Sequence, residues 1–170
     1  VIVFEMGDFD LYQFLRSSLS IPLQTSLQIM EDCFKALYCL HNEQVIHHDI
    51  KLENIVLFKN ANGTYNAKLI SFSGAKSVGK QEFCGCHYCT NGYFGPEFHQ
   101  GHTYSTDVYS LGITLRYLWS RTVKEGQSVT IVDNILQRMI VQDPAKRISA
   151  QDCYSIMYYN VMRRNVQNQN

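Results

Sequence analysis

Val45-Ile46-His47-His48-Asp49-Ile50-Lys51-Leu52-Glu53-Asn54-Ile55-Val56-Leu57 is the run whose reading decides the rest of the chain. A carboxylate, an amine and an amide stand at spacings of two and then three residues, flanked by β-branched runs that read as short strands. A base, a cation directed at phosphate and an amide facing a metal suit phosphoryl transfer, in which catalysis is chiefly positioning and charge stabilisation. A lone Asp49 would read as a loop carboxylate satisfying nearby backbone. With Lys51 and Asn54 at this spacing and the further ordered motifs described below, that reading gives way to a functional position.

Outward from this run, Leu23, Leu27, Met30, Phe34 and Leu37 alternate spacings of four and three, with Pro22 placed for a first turn, and predict an amphipathic helix. Downstream, Ile55-Val56-Leu57-Phe58 and Ala67-Lys68-Leu69-Ile70 flank Asn60-Ala61-Asn62-Gly63 and predict a hairpin with a longer loop. From Ser71 to about Gly101 no period is sustained, which marks the stretch as a place to seek a site. Ser105-Thr106-Asp107 predicts a helix start. The residues after it, through Trp119, carry apolar groups nearly all round, the pattern of a buried helix. Val132, Ile135, Leu136, Met139 and Ile140 form the next stripe. Ser149-Ala150-Gln151-Asp152 resembles a capping box opening a last helix through Ile156 and Met157.

The 170 residues allow one domain. Fifteen Lys plus Arg against fifteen Asp plus Glu give a formal charge of zero and a pI near 7.1, which argues against a large electrostatic footprint for nucleic acid or anionic membrane. Hydrophobic residues at 45% and aromatics at 12% belong to a globular chain. Six cysteines fall well below the ~8–10% of a disulfide scaffold, and no apolar run approaches the ~18 residues of a membrane span. The expectation is a soluble intracellular protein, cytoplasmic with the nucleus left open, and with neither nucleic-acid nor membrane partners.

The opening run resembles the catalytic loop of eukaryotic protein kinases, H-R-D-x-K-x-x-N, as it stands in Ser/Thr kinases. Other stretches match in order. Ile70-Ser71-Phe72-Ser73-Gly74-Ala75-Lys76 falls where the magnesium-binding D-F-G run should be, and Thr90-Asn91-Gly92-Tyr93-Phe94-Gly95-Pro96-Glu97 is similar to T-x-x-Y-x-A-P-E. Asp107-Val108-Tyr109-Ser110-Leu111-Gly112 is similar to D-V-W-S-L-G, Asp143-Pro144-Ala145-Lys146-Arg147 to D-P-x-x-R, and Phe4 through Leu11 to the hinge and the first helix after it. The resemblance implies that Asp49 accepts the substrate hydroxyl proton, Lys51 steadies the transferring phosphate and Asn54 binds magnesium. Thr90 would join Lys51 beside Asp49. Met6 and the Glu5 backbone would meet adenine, Asp10 would reach the ribose, and Val56 would floor the base. Glu97 would pair with Arg147, while His47 and Phe72 would be packed core residues.

The implied fold is mainly α with short β-hairpins: a protein-kinase-like fold comprising the large (C-terminal) lobe plus a hinge remnant. The hinge would cover 1–10 and the large lobe 11–162, within a partial kinase-like domain at 1–165, followed by a polar tail at 166–170. Val1-Ile2-Val3-Phe4 would be the last strand of a small lobe, because no glycine-rich loop, strand Lys or helix Glu lies in these residues. Departures bear on activity. Ser71 replaces the magnesium-binding Asp, His48 replaces the phosphate-collecting Arg, and Ser73 replaces the Gly of the triplet. The stretch between Trp119 and Val129 is short for the family's next helix. The implied function is transfer of the ATP γ-phosphate to protein Ser/Thr hydroxyls in an intact parent, with ATP and Mg2+ as cofactors, a protein substrate as partner and this chain alone inactive. The alternative is a pseudokinase or truncated mimic that binds a partner kinase or its substrate. Cys84, Cys86, His87 and Cys89 leave zinc, redox sensitivity and plain loop residues open. Cys33, Cys39 and Cys153 read as buried apolar residues, and Met30, Met139 and Met157 as core.

Overall fold

The computed structural model describes residues 5–78, 92–97, 103–124 and 128–162, without the side chains of Ser128 and Met162. The strand-like start, Thr90, the cysteine-histidine cluster and the polar tail lie outside the described residues.

Strand β1 (Phe9–Asp10) leads directly into α1 (Leu11–Ser17), because Asp10 Oδ1 accepts from the Gln13 N–H at 2.7 Å and caps the helix. Pro22 then precedes α2 (Leu23–Asn42), where it ends the extended chain without losing a helical hydrogen bond. The expected stripe is the buried one, with Leu27, Met30, Phe34 and Leu37 each 1% exposed or less. Cys39 does not follow it. Two residues beyond Leu37 the helix has turned by about 200°, so Cys39 is exposed while Cys33 is buried, correcting the sequence expectation.

After β2 (Val45–Ile46) and the loop containing Asp49, a 3₁₀ turn over Leu52–Asn54 feeds the hairpin of β3 (Ile55–Lys59) and β4 (Tyr65–Leu69). The hairpin is antiparallel from Ile55 opposite Leu69 to Lys59 opposite Tyr65, and β1 joins its other edge with Asp10 opposite Val56. Asp32 of α2 ties helix to sheet, its Oδ2 accepting from the Ala67 N–H at 2.8 Å. A second 3₁₀ turn (Phe72–Gly74) leads to β5 (Lys76–Ser77), which pairs antiparallel with β2.

Helix α3 (Tyr104–Ser120) begins earlier than the sequence suggests. Thr103 is its N-cap in a reciprocal box with Thr106, so Asp107 lies inside the helix rather than in its start signal. The helix is buried along most of its length, with Leu111, Leu115 and Leu118 at 0% exposure, but Tyr117 is 51% exposed, so the burial is not all round. At Gly112 a Cβ would lie 2.8 Å from Met139 Cβ, so glycine permits the close approach of α4 (Ser128–Met139). Trp119 Nε1 donates to Asp133 Oδ1 at 2.6 Å across the same contact. The end of α3 is fastened to the α1–α2 connection: the Ile21 N–H donates to Arg121 O and the Val123 N–H to Ile21 O, both at 2.9 Å. A last 3₁₀ turn (Pro144–Lys146) precedes α5 (Ala150–Met157), capped by Ser149, whose Oγ accepts from the Asp152 N–H at 3.0 Å. Side chains from α1 to α5 and from β3 form one apolar core that includes Met30, Met139 and Met157.

Candidate active site

The loop between β2 and β3 is held from below by a buried carboxylate. Asp107 Oδ2 accepts from the His47 N–H at 2.7 Å and Oδ1 from the His48 N–H at 3.0 Å, while His41 Nε2 lies 3.1 Å from Oδ2. His48 has φ 71°, a left-handed conformation that costs a side-chain-bearing residue about 1–2 kcal/mol. The paired N–H donations to a carboxylate offset that strain. The buried His47 ring serves the same loop. Its Nε2 lies 2.9 Å from the Ile70 carbonyl and must donate, so Nδ1 is the acceptor for the Asp49 N–H at 3.3 Å. Phe72 packs on this ring at 4.9 Å, yet it is 49% exposed and is not the core residue the sequence suggests. Its short turn sits past the end of β4, outside the helical layer.

The structure brings Asp49, Lys51 and Asn54 together. Lys51 Nζ lies 2.9 Å from Asp49 Oδ2, and Asn54 Nδ2 donates to that same oxygen at 2.9 Å and to the Asp49 carbonyl at 2.8 Å. The 3₁₀ turn is what folds Asn54 back over Asp49, and the Ile70 N–H donation to the Asn54 carbonyl at 3.0 Å fixes β4 beside it. The result is a carboxylate oriented by an amide and accompanied by a cation, with side-chain exposures of 14% for Asp49 and 21% for Lys51. It stays partly open to solvent while most of each side chain is shielded.

The residues assigned to the nucleotide flank the sheet that begins here. Asp10 and Val56 are partners in the β1–β3 pair, with Asp10 also spent on capping α1. Glu5 forms an ion pair with Lys68, whose ammonium lies 4.4 Å from the Phe58 ring centroid, and Met6 is 92% exposed.

The donor set for a magnesium ion is short of one carboxylate. Both donations of the Asn54 amide nitrogen go to Asp49, leaving the neutral Oδ1 for a cation, and the Asp49 carboxylate is engaged by Lys51. Ser71, at φ 67°, offers a neutral hydroxyl where a hard divalent cation favours an anionic oxygen. Among the described residues no cluster of three His, Cys, Asp or Glu side chains could hold a metal.

A second anchor lies farther along the chain. Arg147 binds Glu97 in bidentate fashion, Nη1 to Oε1 at 2.5 Å and Nη2 to Oε2 at 3.0 Å, as the two motifs imply. The guanidinium also donates to the Ser105 carbonyl at 2.7 Å and, through Nε, to the Val141 carbonyl at 3.0 Å, and the Tyr109 ring centroid lies 4.9 Å from it. A Cβ at Gly95 would lie 2.3 Å from Glu97 Oε2, so glycine leaves room for the carboxylate to turn beneath its own loop. The positioning roles of Asp107 and His41 are not evident from spacing. The signal was an acidic residue inside a largely buried helix, which needs a partner of its own.

A family model described as the protein kinase domain matches residues 1–130. The chain is 36% identical over 116 residues, 68% of its length, to a dual serine/threonine and tyrosine protein kinase of Xenopus laevis. It is 27% identical over 157 residues, 84% of its length, to the meiosis-specific serine/threonine-protein kinase mek1 of Schizosaccharomyces pombe. The matches span 12% and 34% of those two proteins, respectively.

Proposed function

Because the chain belongs to the eukaryotic-type protein kinase family, we propose that it forms the large-lobe half of a Ser/Thr protein kinase site, with hinge residues ahead of α1. The observation that carries this reading is the assembled Asp49–Lys51–Asn54 group on a loop clamped by Asp107. In it, Asp49 accepts the proton of a protein Ser or Thr hydroxyl, Asn54 holds that carboxylate in orientation, and Lys51 faces the transferring phosphate of ATP. Glu5, Met6, Asp10 and Val56 line the nucleotide side, and Thr90 belongs beside Lys51. Three free cysteines among the described residues agree with an intracellular setting.

The test is transfer of labelled phosphate from ATP to a Ser/Thr peptide by the full chain and its Asp49→Asn variant. Loss of the base should lower the rate by about 10²–10⁴-fold with thermal stability retained. Equal rates for the two proteins would overturn the assignment.

Ser71, a neutral hydroxyl where the family resemblance calls for an anionic magnesium ligand, favours a second reading, a pseudokinase that binds a partner kinase or its substrate. It requires no transfer by the wild-type chain, together with specific co-purification of an identified kinase or kinase substrate. Transfer that depends on Asp49 would exclude it.

A further inference from the structure

The segment ahead of α1 does not stand clear of the sheet that carries Val56. The Asp8 N–H donates to the Leu57 carbonyl at 3.0 Å and Asp8 Oδ2 accepts from the Lys59 N–H at 2.7 Å, which binds the chain along the edge of β3 away from β4. One residue earlier the backbone lies on the sheet itself. A Cβ at Gly7 would collide with Val56 Cγ1 and sit 3.3 Å from Phe58 Cζ, so the absence of a side chain is what lets the segment close. Glu5 then pairs with Lys68, whose ammonium also lies 4.4 Å from the Phe58 ring centroid. Lys68 stands opposite Val56 in the β3–β4 register. Residues 5–8 therefore run from a contact on β4, over Val56 of β3, to the far edge of the sheet.

We propose that residues 5–8 form an autoinhibitory strap, closed over Val56 and latched by Glu5 and Lys68, which keeps a nucleobase off that surface until it lifts. This role rests on the reading of Val56 as the floor of the nucleotide position. A flat base needs an approach of about 3.5–4.0 Å to the Val56 side chain, and the Gly7 backbone already fills that layer over Cγ1. The latch is suited to opening. Lys68 and Glu5 keep side-chain exposures of 50% and 63%, and exposed ion pairs hold weakly. Met6, between Glu5 and Gly7, is 92% exposed and adds no packing. Lifting the strap uncovers Val56 and frees the Glu5 and Met6 backbone together, so the segment that blocks the position serves it once open. A base binds only the lifted fraction of molecules, and its apparent affinity falls by that fraction.

The test titrates the full chain with adenosine, which carries no phosphate and so calls on neither a metal ion nor Lys51. Lys68→Met removes the latch charge, and Gly7→Ala drives a methyl against Val56. Each should tighten adenosine at least threefold and speed hydrogen exchange at the Asp8 and Lys59 amides of the unliganded protein. Lys68→Glu should behave like Lys68→Met, and adding Glu5→Lys rebuilds the latch with reversed charges and should return both readouts toward wild type. That rescue separates a latch from a direct contact of Lys68 with the ligand. Equal affinity in the wild type and both single variants, unchanged exchange at Asp8 and Lys59, or no return with the charges reversed would each overturn the strap. The kinase reading then still stands or falls on Asp49-dependent transfer. Absence of adenosine binding from every variant, with exchange at those amides accelerated, overturns the strap together with the placing of Val56 beneath the base.

Discussion

At His48 the backbone adopts a conformation that only the surrounding hydrogen bonds make tolerable, and Asp107 supplies them. Replacing that carboxylate by an amide removes the charge and places a donor where only donors approach. Asp107→Asn should therefore cost about 2–3 kcal/mol in urea unfolding and speed hydrogen exchange at His47 and His48 before it affects the distant helices. The cysteines separate by environment at the same scale. Burial raises the Cys33 thiol far above its ordinary pKa and pushes Cys153 up to about 12, so neither presents a thiolate in the native state. Cys39 is exposed on the opposite face of α2. Peptide-resolved mass spectrometry after brief iodoacetamide treatment should find Cys39 alkylated while Cys33 and Cys153 react only on unfolding.

Helix α2 carries adjacent acids, Glu31 and Asp32, bridged by Gln28, whose Nε2 donates to the two carboxylates at 3.3 and 3.2 Å. Burial raises both pKa values, with the neighbouring Asp32 charge adding to the effect on Glu31; the hydrogen bond from Ala67 partly opposes the rise at Asp32. A raised native-state pKa means that the folded protein binds these protons more tightly than the unfolded chain. Their contribution is therefore greatest below the ordinary carboxylate range and is lost as pH rises through the raised values. Urea midpoints followed upward from about pH 4 should show a downward component that Glu31→Gln together with Asp32→Asn removes. The α3–α4 contact is limited by volume rather than charge. Gly112→Ala would push a methyl against Met139 and Ile140 and should destabilise the protein by about 1–3 kcal/mol in the same assay.

Across the whole molecule, the Glu97–Arg147 pair joins segments 50 residues apart and is almost fully buried. Arg147→Met would strand a buried carboxylate and should cost about 3–5 kcal/mol, whereas adding Glu97→Leu should recover much of the loss, because desolvating the pair had offset much of its attraction. A double-mutant cycle measured by urea unfolding checks both outcomes. This pair, the Asp49–Lys51–Asn54 group, the α2 stripe and the β3–β4 hairpin were legible in the sequence because each depends on local spacing or on ordered motifs. Cys39, Phe72, the true start of α3 and the task of Asp107 were not, since each depends on what lies across space from it. Asp107 shows the division most clearly. Its position in the chain marked it as part of a motif, but a carboxylate inside a helix has no local donors, and only the packing of α3 under the β2–β3 loop supplied the His47 and His48 amides. The sequence by itself determined the family resemblance, the helical periods and the chemical types at the site. The tertiary structure decided which polar groups meet and which carboxylates are buried, because burial and hydrogen-bond pairing follow from distances between segments remote in the chain.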